Sequence, residues 1–163
     1  MKDVSINVRR EVIRCKECRQ LKQLLYLSDF SYGERLVVLN DTPYYAFKNL
    51  IEDECFTEYE EIIKHILNDR SVSYTKESFD KLVISTFGIT CDKINGHNID
   101  FLKKDNKCHI CGSTEFENNL FEQESIINIK IPVITHCEWS KLSTKEKEKL
   151  IIQKLKEKSL IKW

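Results

Sequence analysis

Two prolines and four glycines are all that punctuate these 163 residues, and neither type gathers into a linker. Independent domains joined by a flexible hinge are therefore not expected, and no repeat of fixed period occurs. The chain also has no run of 18 apolar residues and no hydrophobic core near its N-terminus. It is expected neither to span a membrane nor to be secreted through a signal peptide. Net charge is missing as well, because 26 basic residues balance 26 acidic ones. No global positive field draws in nucleic acid. The cysteine count is seven, an odd number that suits a reducing compartment better than a disulfide framework. A cytoplasmic protein is the expectation.

What is present is enough for a core. Hydrophobic residues make up 41% of the chain, and residues 1–163 read as one domain with a helical insertion at about 41–88. The neutral total hides a segregation of charge. Residues 1–24 hold seven basic residues against three acids, a net of +4, and residues 139–163 hold eight against three, a net of +5. Residues 40–69 hold eight acids against Lys48 and Lys64, a net of −6. Opposite blocks of this kind either pack on one another or dock a partner of opposite charge.

The coarse pattern is α+β, with a small antiparallel sheet, a central helical insertion and a C-terminal helix. Val4, Ile6 and Val8 alternate with polar residues, a strand signal that leads through Val12 and Ile13 to Cys15. Residues 36–39 read as a short buried strand. Asp41-Thr42-Pro43 resembles a helix cap with proline at the first position, which predicts a helix over about 43–53. Thr57-Glu58-Tyr59-Glu60 matches a capping box and predicts a helix to about residue 68, with Tyr59, Ile62, Ile63, Ile66 and Leu67 on its apolar side. A third helix is expected over 76–87, capped by Thr75 and stopped by Gly88. Asn95-Gly96 signals a two-residue hairpin between 91–94 and 97–102. Ile127, Ile129, Ile131 and Val133 alternate with polar residues and Pro132, which predicts an edge strand. Ser143-Thr144-Lys145-Glu146 opens a terminal helix with Leu150, Ile151 and Leu155 on its apolar side.

Two Cys-x-x-Cys pairs carry the chemistry. Cys15-Lys16-Glu17-Cys18 and Cys108-His109-Ile110-Cys111 can each turn two thiolates toward one point, and together they make a tetrahedral four-sulfur site for one structural Zn2+. Gly112 directly follows the second pair, where a positive φ lets the backbone turn and aim amides at the sulfurs. This element resembles the knuckle of zinc-ribbon proteins, whose hairpin turns supply the ligands. At the first pair Arg19 stands in the glycine's place. The resemblance covers only these two elements. The 89 residues between Cys18 and Cys108 exceed a compact ribbon, so the metal is expected to staple the N-terminal strand to the C-terminal half. Closing so long a loop costs little extra, since its entropy grows only with the logarithm of length.

Four cysteines leave no open position for water, which disfavours a catalytic metal. A zinc deaminase needs His-x-Glu and Pro-Cys-x-x-Cys, whereas His97-Asn98-Ile99 lacks the glutamate and Lys107 precedes Cys108. A nuclease of the His-Asn-His class is tested by an Asp-His pair, and the chain has none. A thioredoxin-like site uses one pair at a helix start, and the second pair favours metal instead. There is no phosphate-binding glycine loop. His109 is expected as an exposed knuckle side chain, and Cys55 and Cys91 as buried thiols. His136-Cys137 offers an alternative ligand.

Two functions fit. The first is a zinc-stabilised protein-interaction module, such as a bacterial inhibitor or immunity protein that covers a toxin or effector. Its candidate surfaces are the acidic 52–61 segment with Phe56 and Tyr59, and the His136–Trp139 stretch with an aromatic suited to an interface. The second is a nucleic-acid-binding zinc ribbon, using Arg9, Arg10, Arg14, Lys16 and Arg19 at the first knuckle and the lysine-rich terminal helix.

Overall fold

The computed structural model describes residues 2–29, 32–39 and 44–158. In chain order it contains β1 (Asp3–Arg14), β2 (Leu21–Leu27), β3 (Glu34–Val38), β4 (Tyr45–Asn49), α1 (Glu54–Asp69), α2 (Lys76–Thr86), β5 (Ser125–Pro132), the single turn α3 (Cys137–Ser140) and α4 (Thr144–Glu157). The architecture is α+β with small antiparallel sheets, helices and a C-terminal helix.

The longest strand organises the rest. β1 is central in a three-stranded sheet ordered β2–β1–β5, and both neighbours run antiparallel to it. Its first half pairs with β5, placing Ile6 opposite Ile129 and Val8 opposite Ile127. Its second half pairs with β2 across a hairpin whose turn contains Cys15 and Cys18. Pro132 ends β5 at an edge of this sheet, where its missing N–H leaves no ladder bond unmade. β2 carries no clean alternation, since Leu24 and Leu25 are adjacent and Lys22 is buried, so its sequence gave no strand signal.

The expected helix over 43–53 is replaced by a strand. Residues 41–43 lie outside the described residues, and β4 pairs antiparallel with β3, with Val37 opposite Ala46 and Val38 opposite Tyr45. Tyr45 and Phe47 favour a pleated surface, and Ala46 is fully buried against Val37, Leu39 and Ile134. Tertiary packing here outweighs a proline-and-cap pattern.

α1 begins one turn before the Thr57 pattern, because Asp53 caps it by accepting from the Cys55 amide at 3.1 Å. Its buried face is Tyr59, Ile62, Ile63, Ile66 and Leu67, as the periodicity predicts. α2 has the capping box at Thr75, and a 3-10 turn, Phe87–Thr90, continues it past Thr86. Gly88 therefore does not end the helix with a positive φ. It is required by contact instead, because a Cβ there would lie 2.1 Å from the Ile99 carbonyl oxygen. α4 opens on the Ser143–Glu146 box and buries Ile151, Leu155 and Lys147, whereas Leu150 stays exposed. Asn95 and Gly96 adopt the left-handed turn, but only an isolated bridge, Ile94 to His97, forms around them.

Tyr59, Phe87 and Trp139 meet edge-on at the centre of the helical core, with ring centroids 5.4 and 5.9 Å from Tyr59. Phe56 packs edge-on to Phe87 at 4.9 Å. All three aromatics considered as partner anchors (Phe56, Tyr59 and Trp139) thus serve the core. No helix among the described residues is long and apolar enough to cross a membrane.

Candidate metal centre

The sulfurs of Cys15, Cys18, Cys108 and Cys111 lie within 4.8 Å of one another. Cys15 Sγ and Cys111 Sγ are 3.5 Å apart, as are Cys18 Sγ and Cys108 Sγ. A tetrahedral zinc with bonds of about 2.3 Å sets sulfur–sulfur edges of about 3.8 Å. The four residues fit one metal ion, and among the described residues no other His, Cys, Asp or Glu cluster of this kind occurs.

Two turns with the same wiring build the cluster. The Cys15 amide donates to the Gln20 carbonyl at 2.9 Å, and the Cys108 amide donates to the Ser113 carbonyl at 2.8 Å. Arg19 N–H returns to the Cys15 carbonyl at 3.1 Å, and Gly112 N–H to the Cys108 carbonyl at 2.9 Å. Arg19 has φ +62° and Gly112 has φ +74°. The departure from glycine at the first knuckle therefore does not alter its turn. The knuckles are tied to each other by the Lys16 amide on the Glu115 carbonyl, 2.9 Å, and by a bridge from Cys15 to Phe116.

Backbone amides make each turn a thiolate cradle. The Cys18 amide, with help from the Cys111 thiol and the Glu17 amide, holds the Cys15 thiol below its ordinary value against the effect of burial. The Cys111 and Ile110 amides do the same at Cys108 and bring it to about 6. The Gln20 amide favours ionisation of Cys18, yet burial and hydrogen bonds to the other three sulfurs push it up to about 12. The sulfurs also contact one another in two pairs, Cys15 with Cys111 and Cys18 with Cys108. A divalent cation at that point would be held by all four sulfurs.

Directly behind the second knuckle lies a network that sequence reasoning missed. Lys22 of β2 is buried, and its ammonium donates to Asp105 and to the Lys107 carbonyl. The Tyr45 hydroxyl of β4 donates to the other Asp105 oxygen at 2.5 Å. His109 folds back rather than outward, with Nε2 3.4 Å from Asp105, and Ile110 becomes the exposed side chain of the turn. Nothing in the local sequence signals the Lys22 and Tyr45 contacts, because those partners are 60 to 85 residues apart.

The other candidates stand elsewhere. His136 faces Asp53 at 3.0 Å and Cys137 is exposed, so neither joins the four sulfurs. Cys55 and Cys91 are half-buried rather than buried. His65 sits on the outer side of α1 beside Asp69, and His97 follows the Asn95-Gly96 turn. Comparison with protein-family models, curated proteins and solved structures found no match.

Proposed function

We propose that this chain is a zinc-stapled protein-interaction module, of the kind a bacterial inhibitor or immunity protein uses to cover a toxin or effector. Four thiolates in a closed tetrahedral set are the donor set of structural zinc, with no position left for water or substrate. Bound zinc supplies a crosslink between β1 and the segment before β5. In small peptides such binding contributes about 10–16 kcal/mol toward folding at neutral pH. Thiolate ligands also suit a reducing, cytoplasmic setting.

The observation that supports the reading is the uneven pairing of charge. The first-knuckle cations face glutamates of the 115–124 segment: Arg10 with Glu122 at 2.9 Å, Arg19 with Glu117 at 2.6 Å, Lys16 with Glu115 at 3.9 Å and Arg9 with Glu124 at 3.5 Å. Arg14 lies over the Phe121 ring at 4.2 Å. Lys147 of α4 pairs with Glu58. By contrast Glu52, Glu54, Glu60 and Glu61 have no ion pair among the described residues, and Glu52, Glu54 and Glu61 are exposed. These acids are open to a partner with a basic protein surface, and Lys145 and Lys149 of α4 are likewise exposed without an ion pair among the described residues. Glu58 is not part of this face, because it accepts from Trp139 Nε1 at 3.1 Å and from Lys147.

A tagged pull-down at low salt, with and without nuclease, tests this. The expected result is a stoichiometric protein partner that survives nuclease and is lost when Glu52, Glu60 and Glu61 are all replaced by lysine. Co-purified nucleic acid that disappears at moderate salt, with no protein partner, overturns it in favour of the zinc-ribbon nucleic-acid reading.

A further inference from the structure

β5 is an edge strand, and the phase of its hydrogen bonds defines its open side. The Val133 amide donates to the Lys2 carbonyl at 2.9 Å, and the register from Asp3–Pro132 to Arg10–Ser125 runs without a bulge. Opposed residues of an antiparallel pair alternate between hydrogen-bonded and non-bonded, so Ile127, Ile129 and Ile131 turn their backbone groups to β1. Ile126, Asn128 and Lys130 turn theirs away from it. No other strand among the described residues pairs with these three, because β4 meets this edge only beyond Pro132, at the bridge from Phe47 to Val133.

Natural sheets blunt such an edge with a proline, a bulge, a charge or a covering segment. From Ser125 to Ile131 this strand has neither proline nor bulge, and Ile126 is 69% exposed. Its one charged side chain is Lys130, loosely paired with Asp3 at 3.8 Å. Just before the strand, Glu124 lies 3.5 Å from Arg9, which also lies 3.5 Å from Glu11. A second β5 running antiparallel, with Ile126 opposite Asn128 of that copy, sets Glu124 of each chain opposite Lys130 of the other. Charges then alternate across the four strands: Arg9 and Glu124, then Lys130 and Asp3 of the second copy. No like charges face each other, and the contact is self-complementary about a two-fold axis at Ile127. A basic or wholly apolar strand on this edge would give Lys130 no acid opposite it.

We propose that β5 is a dimer contact: a second copy of this chain adds its own β5 antiparallel to the open edge, in the register that sets Glu124 against Lys130 of the second copy. The outward amides and carbonyls of Ile126 and Asn128 bond across the axis, and the two sheets become one continuous sheet. Ile127 meets its own counterpart at the axis. The contact uses none of the α1 acids, so it is independent of the docking face argued above.

Sedimentation velocity of the metal-loaded full chain over a dilution series is the test, with a thiol reductant present to exclude disulfide dimers through exposed Cys137. The chain should pass from monomer to dimer mass as concentration rises. Ile126→Pro removes an outward N–H without touching the β1 ladder, so it should abolish the dimer and leave thermal unfolding of the monomer nearly unchanged. Lys130→Glu or Glu124→Lys alone should weaken the dimer on the order of tenfold, and the two together should restore it. The double variant keeps the repulsions toward Asp3 and Arg9 within each chain, so recovery reports the pairs between copies. A chain that stays monomeric at every concentration leaves this edge to a strand of another protein and overturns the proposal, as does a dimer indifferent to Ile126→Pro. Single reversals without effect, or a double reversal without recovery, overturn the register.

Discussion

Arg19 and Gly112 occupy equivalent positions one residue after each Cys-x-x-Cys pair, and both are left-handed, at φ +62° and +74°. A Cβ at residue 112 would meet nothing within 4 Å, so Gly112→Ala tests backbone strain alone. It should cost about 1–2 kcal/mol in denaturant unfolding with metal in excess. Arg19→Gly relieves that strain but gives up the exposed pair with Glu117 and adds unfolded-chain entropy. Its expected net change lies within about 1 kcal/mol of zero. A larger loss at residue 19 than at residue 112 would mean that the side chain, and not the turn, sets the first knuckle.

Lys22, Asp105 and Tyr45 join β2, β4 and the loop before Cys108. Lys22→Ala leaves a buried carboxylate without its cation and should cost about 3–5 kcal/mol. Adding Asp105→Asn should recover a large part of that loss, because the stranded charge is gone. A double-mutant cycle by chemical denaturation measures the coupling, and additivity would remove this network as a support for the second knuckle.

Gly88 faces the Ile99 carbonyl so closely that any side chain forces the backbone apart. Gly88→Ala should therefore destabilise by at least about 2 kcal/mol, although its φ suits any residue. Thermal unfolding of the variant checks this.

His136 and Asp53 give a pH signature. Burial lowers the His136 value, but the hydrogen bonds to Asp53 and the neighbouring thiols raise it from 6.5 to about 12. Burial likewise opposes ionisation of Asp53, yet the bonds from His136 and Lys48 leave it below its ordinary value. The His136 contribution is thus complete below about pH 6.5 and is lost progressively as pH rises toward about 12. The Asp53 contribution is present above its ordinary range and lost as pH falls below it. The stability gap between wild type and His136→Asn should be widest near pH 5 to 6 (about 3–5 kcal/mol) and narrow steadily above pH 6.5. A gap that widens with rising pH would contradict a His136 ring held protonated by Asp53.

Local signals carried much of this fold to the reader of the sequence. The apolar side of α1, the cap at Thr75, the box at Ser143 and the alternation of β5 depend on neighbours within a few residues, and these features form as expected, although α1 starts a turn early at Glu54. The gathering of the four cysteines was legible from their spacing, because two residues between thiols set a metal-sized bite. β4 was misread because its fate is decided by pairing with β3, and β2 was missed because its hairpin is organised by the knuckle itself. The pairings of the basic residues in 1–24 were hidden for a similar reason. Its cations meet glutamates about 100 residues later, and no local pattern reports such a pairing.

Metal content is the measurement that bears most directly on the account. The chain would be purified with neither chelator nor added metal and analysed for bound elements, alongside the Cys18→Ala, Cys108→Ala double variant. One zinc per wild-type chain, lost together with cooperative folding in the double variant, is the predicted result. A wild-type chain that folds cooperatively without any metal, or a double variant that keeps its zinc, would contradict the four-thiolate staple.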